Sequence, residues 1–215
     1  MKQVINCLKH DNLVINKKLK EVSVEEGMAI ATELFQILNQ RGDGIGLAAN
    51  QVGIDAQVAV VNVREPLVLI NPKYISKDNE INYYEGCLSY PKKGVHTKRY
   101  ETIHIQTAQE ESGWVFSGAP NASEGKGIWE KDDKDETELR LLETICVQHE
   151  IDHLMGETIF DRENKPKPIK SEKTFGRNEK VEITDGKILS TMKYKKAKPL
   201  LDSGLWELYV GGPLT

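Results

Sequence analysis

Two histidines in this sequence, His149 and His153, flank a glutamate in the pattern HExxH. Residues four apart share one face of a helix, and the apolar spacing from Leu139 to Cys146 predicts a helix that continues through both histidines. Both imidazoles would then reach one metal ion, and Glu150 would reach water at that ion as an acid/base. The alternatives are a chance HExxH on a solvated helix and a pair of hydrogen-bonded core histidines.

A third metal ligand is required, because catalytic sites usually have three protein ligands and one open position. Cys87 is the better candidate, since its segment EGCLS has the composition of a tight turn and a thiolate would complete a Cys-His-His site. Glu157, four residues after the second histidine, is the other near candidate. Cys146 is weaker, because it precedes His149 by only three residues and a free cysteine usually fills a core as a small hydrophobic residue. Cys7 is weaker because the N-terminal segment around it has no pattern.

A second motif, GIGLAANQVG, runs from Gly44 to Gly53. Its glycines allow the backbone to approach a ligand closely, and Gln51 offers a neutral amide donor beside it. The alternatives are a loop that only turns the chain and a phosphate-binding loop. The phosphate loop is disfavoured, because the Walker lysine is missing and no dinucleotide fingerprint fits.

The motifs GIGLAANQVG, EGCLS and QHEIDHL occur in that order, and in this combination the chain resembles the peptide deformylases, especially the bacterial type. The resemblance extends from about Leu13 to Phe160. It implies a metal-dependent hydrolase that removes the N-formyl group from the formyl-methionine of nascent polypeptides and releases formate. Two other function classes remain open: an HExxH zinc peptidase, which would not need EGCLS, and an inactive RNA- or ribosome-binding relative, which would need only the tail.

The resemblance also implies roles for individual residues. The implied metal ligands are Cys87, His149 and His153. The implied catalytic groups are Glu150 as acid/base, with the Gln51 side-chain amide and the Leu88 backbone N–H as oxyanion donors. The residues implied to contact the substrate are Gly44, Ile45, Gly46, Glu85, Gly86, Ile145, Cys146 and His149. The implied cofactor is one divalent metal, Fe²⁺, for which Zn²⁺, Ni²⁺ or Co²⁺ can substitute, and the sequence itself does not choose among these metals.

The surrounding sequence predicts an α+β fold, with mixed or antiparallel strands around the central HExxH helix. Strands are predicted at Gln57–Val63, Leu67–Ile70 and Glu101–Thr107. The alternation of apolar and polar residues in the third strand turns His104 outward, so we do not expect it to be a ligand.

A first helix is predicted upstream of the glycine-rich motif. The segment Ser23–Glu26 has the pattern of a capping box, the helix extends to about Gln40, and Gly42 ends it. The residues predicted to face inward are Met28, Ala31, Leu34 and Leu38.

Two segments depart from the family pattern. Gly113–Lys134 is longer and more polar than expected before the ligand helix, which indicates either a surface hairpin or flap near the active-site mouth or an inert loop extension. In Tyr90–Gly94, lysines stand where many relatives place an arginine at the substrate entrance. Lys92 or Lys93 is therefore the candidate to anchor the peptide.

The charge of the chain changes beyond Arg162. Residues 165–198 hold eleven Lys and Arg against four Asp and Glu, whereas residues 1–164 hold eighteen against twenty-seven. We therefore expect a deformylase catalytic domain over residues 1–164 and a basic C-terminal extension over residues 165–215.

The extension is expected to be ordered. Lys165–Pro168 has the composition of an extended linker, Asp185–Gly186 predicts a hairpin turn, and Leu205–Val210 is a candidate strand. The basic 165–198 segment is a candidate for contact with ribosomal RNA through phosphates, and the alternative is a solvated basic face.

Composition predicts a cytoplasmic protein. The overall charge is −4, and three cysteines without a signal-like N-terminus indicate a reducing compartment without disulfides. No apolar run reaches the length that spans a membrane, so no membrane partner is expected. The expected partners are the formyl-methionyl peptide and the ribosome, and the chain is expected to act as a monomer.

Overall fold

The computed structural model describes residues 2–118, 136–164, 175–185 and 188–209. The chain divides into two compact units, Met1–Asn164 and Lys165–Thr215. All of the candidate metal ligands and catalytic residues lie in the first unit.

Within its described residues, the first unit is built from two helices and two antiparallel sheets. The helices are α1 (Val24–Arg41) and α2 (Glu136–Met155). The first sheet has the order β1-β2-β3, with β1 at Gly46–Ala48, β2 at Val58–Asn62 and β3 at Pro66–Ile70. The second sheet has the order β4-β5-β6, with β4 at Lys73–Gly86, β5 at Gly94–Thr107 and β6 at Glu110–Ser117. The predicted α+β class is confirmed.

The first sheet is covered on both faces. Along β2, Val58 and Val60 pack in a cluster with residues of α1, whereas Ala59 and Val61 pack in a cluster with residues of α2. Successive side chains of a strand point to opposite faces, so an apolar run in one strand packs against a helix on each face. Packing on this sheet therefore fixes the position of α2 relative to β1, the strand that carries part of the glycine-rich motif.

Helix α1 begins and ends where the sequence predicts. The Glu26 N–H donates to Ser23 Oγ at 3.2 Å, which is the expected N-terminal cap. At the other end Gly42 has a φ of 70°, a left-handed conformation in which glycine carries no steric penalty.

The prediction of Met28 as an inward residue of α1 is wrong, because its side chain is 46% exposed. The buried stripe instead starts one residue earlier, at Gly27, and continues through Ala31, Leu34 and Leu38. Gly27 lies against Ile70 of β3, where there is no room for a side chain. The periodicity located the face correctly, but a glycine contributes no apolar signal at the start of the stripe.

Strands β4 and β5 form a hairpin that is longer than the sequence predicts. They pair from Lys73 opposite Gln106 to Gly86 opposite Gly94, and only the second half of β5 was expected. Most of β4 is polar and exposed, so it lacks the alternation that would identify a strand. The hairpin delivers residues 87–93, which carry the cysteine motif, to the end of the second sheet. His104 is half-buried on β5, and the candidate metal group found among the described residues does not include it.

Helix α2 runs between the two sheets and is buried on all sides over residues 141–154. Gln148 ties it to β5, because its Oε1 accepts from the Tyr100 N–H at 2.9 Å and its Nε2 donates to the Tyr100 carbonyl oxygen at 2.7 Å. This pair of hydrogen bonds fixes the rotation of the helix turn that carries the two histidines.

The second unit contains a small sheet and one helix among its described residues. The sheet has the order β8-β7-β9, with β7 at Lys180–Thr184, β8 at Leu189–Lys193 and β9 at Glu207–Leu208, and α3 spans Tyr194–Asp202. β7 and β8 are antiparallel, and β9 lies within the segment in which we expected a strand. The helix was not predicted, and it contains Pro199, a residue that is unfavourable inside a helix. The buried core of the second unit, within its described residues, consists of Val181, Ile183 and Ala197.

Parts of several sequence predictions fall outside the described residues. These are residues 119–134 of the extension before the ligand helix, the linker Lys165–Pro168, Gly186 of the hairpin turn and Val210. Residues 113–118 are described, and residues 113–117 form the end of β6, paired with β5. In the part of the chain that the structure describes, no helix is long and apolar enough to cross a membrane.

Candidate metal centre

Cys87, His149 and His153 converge at one point in the first unit. Each offers one ligand atom, the three atoms lie within 4.8 Å of one another, and all three residues are buried. Cys87 begins the loop between β4 and β5, and the two histidines lie one turn apart on α2. Cys87 Sγ is 3.3 Å from His153 Nε2. Because thiolate and imidazole are suitable ligands for one divalent transition metal, the geometry fits a single ion.

The other candidates for the third ligand are engaged elsewhere. Glu157 forms an ion pair with Arg162. Cys146 Sγ lies 3.7 Å from the Ile45 carbonyl oxygen, and burial raises the pKa of this thiol well above its usual range, which disfavours a thiolate. Cys7 is half-buried and lies in the N-terminal segment.

The two histidines have different electrostatic surroundings. Burial lowers the pKa of His153 well below its usual range, so its imidazole is neutral and free to act as a ligand. Burial also disfavours a charge on His149, but hydrogen bonds to Cys87 and Glu85 outweigh it and raise the pKa of His149. The same negative surroundings that favour a proton on His149 favour a metal cation at this point.

Glu85 orients the imidazole of His149 through a hydrogen bond to its Nδ1. Its Oε2 lies 2.8 Å from His149 Nδ1, which leaves Nε2 of the same ring for a metal. Burial alone would raise the pKa of Glu85, but the Arg99 guanidinium and His149 outweigh it and lower the pKa to about 2. Glu85 is fully buried against His149 and Arg99 and is not among the residues that line the small cavity beside the metal group.

A chain of buried charges continues from Glu85 to the surface. Arg99 Nε and Nη2 donate to Glu85 at 2.5 and 3.0 Å, and Arg99 Nη1 donates to Asp152 at 2.5 Å. Arg162 completes the chain with a hydrogen bond to Asp152 at 2.9 Å. Sequence reasoning missed Arg99 and Asp152, because their partners come together only through the β4–β5 pairing and the packing of α2. The one available signal was the alternation in β5 that turns Arg99 inward.

Glu150 has a carboxyl oxygen, Oε2, that is buried without a hydrogen-bond partner among the described residues. Burial raises the pKa of Glu150 to about 7. Such a group exchanges a proton readily near neutral pH. Gly46 of β1 packs directly against the other oxygen, Oε1, so a side chain at position 46 would displace the carboxylate.

Gln51 lies in a 3₁₀ helix, Ala49–Val52, directly after β1. The Ala48 N–H donates to Gln51 Oε1 at 2.8 Å. Since a backbone N–H can only donate, this bond assigns the side-chain oxygen and leaves the Nε2 donor for the site. Nε2 is 3.6 Å from Cys87 Sγ and 3.3 Å from Ser89 Oγ. Ser89, which the sequence reasoning did not single out, thus helps to hold the amide beside the metal group.

A small cavity of about 20 Å³ adjoins the metal group, and its lining contains most of the residues expected to contact a substrate. The lining residues are Ile45, Gly46, Gln51, Gly86, Leu88, Cys146, His149 and Glu150. Three residues that were expected to contact a substrate are not among them: Gly44, Glu85 and Ile145. Ile145 is fully buried in the core, and Gly44 packs against Leu88, whose Cδ1 would be 2.8 Å from a side chain added at position 44.

This arrangement defines a class of protein, a mononuclear metallohydrolase with a buried carboxylate and a neutral amide donor beside one Cys-His-His group. The chain matches the polypeptide deformylase family over residues 4–119 and 124–168. It is 34% identical over 166 residues to a peptide deformylase of Buchnera aphidicola, which covers 75% of this chain and 83% of the relative.

Solved structures agree with the sequence comparison. The peptide deformylase of Thermotoga maritima is 26% identical, with a TM-score of 0.59, and the match covers 76% of this chain and 98% of that one. The peptide deformylase of Synechococcus elongatus, solved in complex with actinonin, is 28% identical, with a TM-score of 0.57, and the match covers 76% of this chain and 79% of that one.

This chain belongs to the peptide deformylase family. Members of the family are metal-dependent hydrolases that remove the formyl group from nascent polypeptides, and this chain is an enzyme of that kind. Family membership sets aside the HExxH peptidase and the inactive RNA-binding relative as descriptions of the first unit.

Proposed function

We propose that this chain hydrolyses the formyl amide of formyl-methionyl peptides with Glu150 as the general acid/base. The observation that carries this proposal is the buried, unpartnered Oε2 of Glu150 in the same cavity as Gln51 and His149. An unpartnered buried carboxylate is unfavourable unless a bound group completes it. Water or the scissile amide of a substrate is the group that fits beside it.

Cys87, His149 and His153 would hold one divalent metal, and their spacing and burial support this assignment. When bound, such a metal polarises the formyl oxygen and lowers the pKa of water towards neutrality. The Glu85 carboxylate keeps His149 in the ring orientation that a ligand requires. This hydrogen bond also fixes the tautomer, because it places the ring proton on Nδ1.

Glu150 moves the proton in two steps. It first takes a proton from the attacking water, so that a bond forms between the water oxygen and the formyl carbon. It then returns the proton to the nitrogen as the C–N bond breaks. The products are formate and a methionine with a free α-amine. A pKa of about 7 suits both steps, because the group must be a base first and an acid afterwards.

Gln51 and Leu88 stabilise the oxyanion that develops between these steps. The Gln51 Nε2 donor is held by the bond from Ala48, and Leu88 follows the cysteine ligand and lines the same cavity. Donors that are fixed before the reaction do not reorganise when charge develops, which is why they lower the barrier. Ile45, Gly46, Gly86 and Cys146 form the remaining walls of the small cavity.

Hydrolysis is tested with formyl-Met-Ala, by measuring formate and the new α-amine in equal amounts. Acetyl-Met-Ala and unformylated Met-Ala serve as matched substrates, since a peptidase would cleave the Met-Ala bond and a deformylase would not. We expect formate only from the formylated peptide and inhibition by actinonin. Release of free alanine, or no turnover with the metal-loaded protein, would contradict the proposal.

We assign Fe²⁺ as the native metal, with Zn²⁺, Ni²⁺ or Co²⁺ as substitutes. The thiolate Cys87 makes the group soft and electron-rich, which supports a transition metal over Mg²⁺ or Ca²⁺. We expect peroxide or air to inactivate the iron-loaded protein within minutes to hours while the nickel-loaded protein persists. Metal analysis of the protein purified anaerobically checks the assignment, and equal lifetimes of the two forms would contradict it.

Residues 1–164 are proposed as the catalytic domain and residues 165–215 as a basic appendage that contacts ribosomal RNA. In the appendage, Lys180 and Lys193 lie directly opposite each other on β7 and β8, and the Lys195 N–H donates to the Arg177 carbonyl oxygen. Like charges placed opposite each other repel unless an anion lies between them. Phosphates of RNA are the anions that this cluster would meet on a ribosome.

The protein is proposed to act in the cytoplasm as a monomer. Three free cysteines support a reducing compartment, because a thiolate at position 87 can hold a metal only if it stays reduced. Size-exclusion chromatography with light scattering checks the oligomeric state.

A further inference from the structure

Two cavities meet at the cysteine loop. The small cavity beside Glu150 and a wider one of about 500 Å³ are both lined by Gly86 and Leu88. The wider cavity also reaches Cys87 and extends along the loop to Gly94. A peptide whose formyl group lies at Glu150 therefore has its following residues in, or at the edge of, the wider cavity. This step rests on the proposed function.

The wider cavity has an excess of positive charge. Its charged lining residues are Arg41, Asp43, Lys92 and Lys93. Arg41 and Asp43 neutralise each other, because Arg41 Nε and Nη2 donate to the two carboxylate oxygens of Asp43 at 2.9 Å each. Within the part of the chain that the structure describes, neither lysine has a carboxylate partner. The net positive charge of the wider cavity therefore comes from the two lysines.

The backbone fixes both lysines beside the metal ligand. The Tyr90 N–H donates to the Cys87 carbonyl oxygen at 3.0 Å, and the Lys93 N–H donates to the Tyr90 carbonyl oxygen at 3.1 Å. Between them Lys92 has a φ of 63°, a left-handed conformation that is unfavourable for a lysine. Two consecutive turns therefore start at Cys87 and end at Lys93, so the position of both lysines follows from the ligand loop and not from a free surface segment.

We propose that Lys92 and Lys93 make the enzyme selective for formyl peptides that carry a carboxylate shortly after the formyl-methionine. The carboxylate is an Asp or Glu side chain at the second to fourth residue, where an extended peptide lies in the wider cavity. The lysines stand away from Glu150 and the small cavity, so they act on the affinity for the peptide. The selectivity therefore lies in KM, while kcat at saturating peptide changes little.

The test compares formyl-Met-Ala-Asp-Ala, formyl-Met-Ala-Ser-Ala and formyl-Met-Ala-Lys-Ala, together with peptides that carry the charge at the second or fourth residue. C-terminal amides remove the terminal carboxylate, and the same peptides with free acids report whether a terminal carboxylate is recognised instead of a side chain. Exposed ion pairs contribute modestly, so we expect kcat/KM for the acidic peptide to exceed that for the neutral one by about three- to tenfold. The ratio should approach one in about 1 M salt, where charges are screened within about 3 Å.

The variant Lys92→Glu/Lys93→Glu should invert the order, so that the lysine peptide becomes the better substrate. Lys20→Glu/Lys73→Glu is the matched control, because it changes the net charge equally at exposed lysines that line neither cavity. An acidic-to-neutral ratio near one in the unmodified protein, or an equal change of the ratio in the control, would overturn this inference. Absence of turnover on the neutral peptide would instead overturn the proposed function.

Discussion

Among single residues, Glu150 offers the clearest separation of proton transfer from metal binding. We expect Glu150→Ala to keep its metal, because the three proposed ligands are untouched, and to lower kcat by about 10² to 10⁴, the usual size of a lost acid/base. Metal analysis and formate release measured on the same preparation check both parts. Glu138→Ala, at an exposed position of the same helix, is the control. Full activity of Glu150→Ala would remove the residue from the mechanism.

Gln51 tests the oxyanion donor in the same way. We expect Gln51→Leu to lower kcat by about 10² to 10³, the effect of one lost donor, with metal content unchanged. The substitution also leaves the Ala48 N–H without its acceptor, so the midpoint of thermal unfolding should fall. Gln51→Glu keeps that acceptor and removes the donor, so it should regain stability without activity. A kcat that stays at the original level in both variants would place the oxyanion elsewhere.

The sequence predicts some of these residues for a physical reason and misses others. His149, Glu150 and His153 lie within one helix turn and a half, so local spacing alone brings them together. Cys87 joins them through a long hairpin, and it was selected by its turn-like EGCLS segment and by the family resemblance, because its distance along the chain gives no spacing signal. The position of Glu85 was not foreseen, because a buried carboxylate is defined by its partners, and its partner Arg99 comes from another strand. Ser89 was missed for the same reason.

Among the elements, the close approach of β1 to α2 sets the position of the acid/base. A Cβ at Gly46 would overlap Glu150 Oε1 and lie 2.7 Å from Cys146 Sγ. We expect Gly46→Ala to displace the carboxylate and to lower kcat by about 10²-fold or more, on the scale of losing the acid/base itself. Steady-state kinetics and urea unfolding of the same variant separate the loss of activity from the loss of stability.

Gly27→Ala is the matched control for Gly46→Ala. Its Cβ would also lie 2.7 Å from a side chain, that of Ile70, but in the cluster between α1 and the first sheet. We expect it to destabilise the protein by about 1 to 3 kcal/mol through overpacking and to leave kcat within about twofold. Equal losses of kcat in the two variants would show that crowding anywhere in this unit disturbs the site, contrary to the local explanation.

Buried elements were predicted from the sequence more accurately than exposed ones. β2 and β3 were predicted nearly to the residue, because burial gives them apolar runs between turn residues. β4 was missed, because most of its residues are polar and exposed and only Tyr74, Ile81 and Tyr83 pack on the core, while its register is set by hydrogen bonds to β5. A sequence shows a continuous apolar run clearly, and it carries little information about a mostly polar strand whose register is set by its partner.

In the whole molecule, charge is divided between the two units. The first unit carries an excess of acidic residues, whereas residues 165–198 carry an excess of basic ones. An acidic body is repelled by RNA, so any attraction to a ribosome must come from the second unit. The composition made this division visible before the structure, because net charge is a sum over residues and needs no knowledge of their contacts.

The ribosome contact is tested by Lys193→Glu/Lys195→Glu/Lys196→Glu in the full chain. We expect this variant to keep its activity on formyl-Met-Ala, because these residues lie in the second unit, and to co-sediment less with ribosomes at low salt. The slope of log binding constant against log salt should become shallower by about 2 to 3, since each lost phosphate contact removes about 0.7 to 0.9 of slope. Lys17→Glu/Lys18→Glu/Lys20→Glu makes the same change of net charge in the catalytic unit and serves as control. Truncation after Asn164 should reproduce the loss of sedimentation, and unchanged sedimentation of both the triple variant and the truncated chain would exclude the second unit as a ribosome anchor.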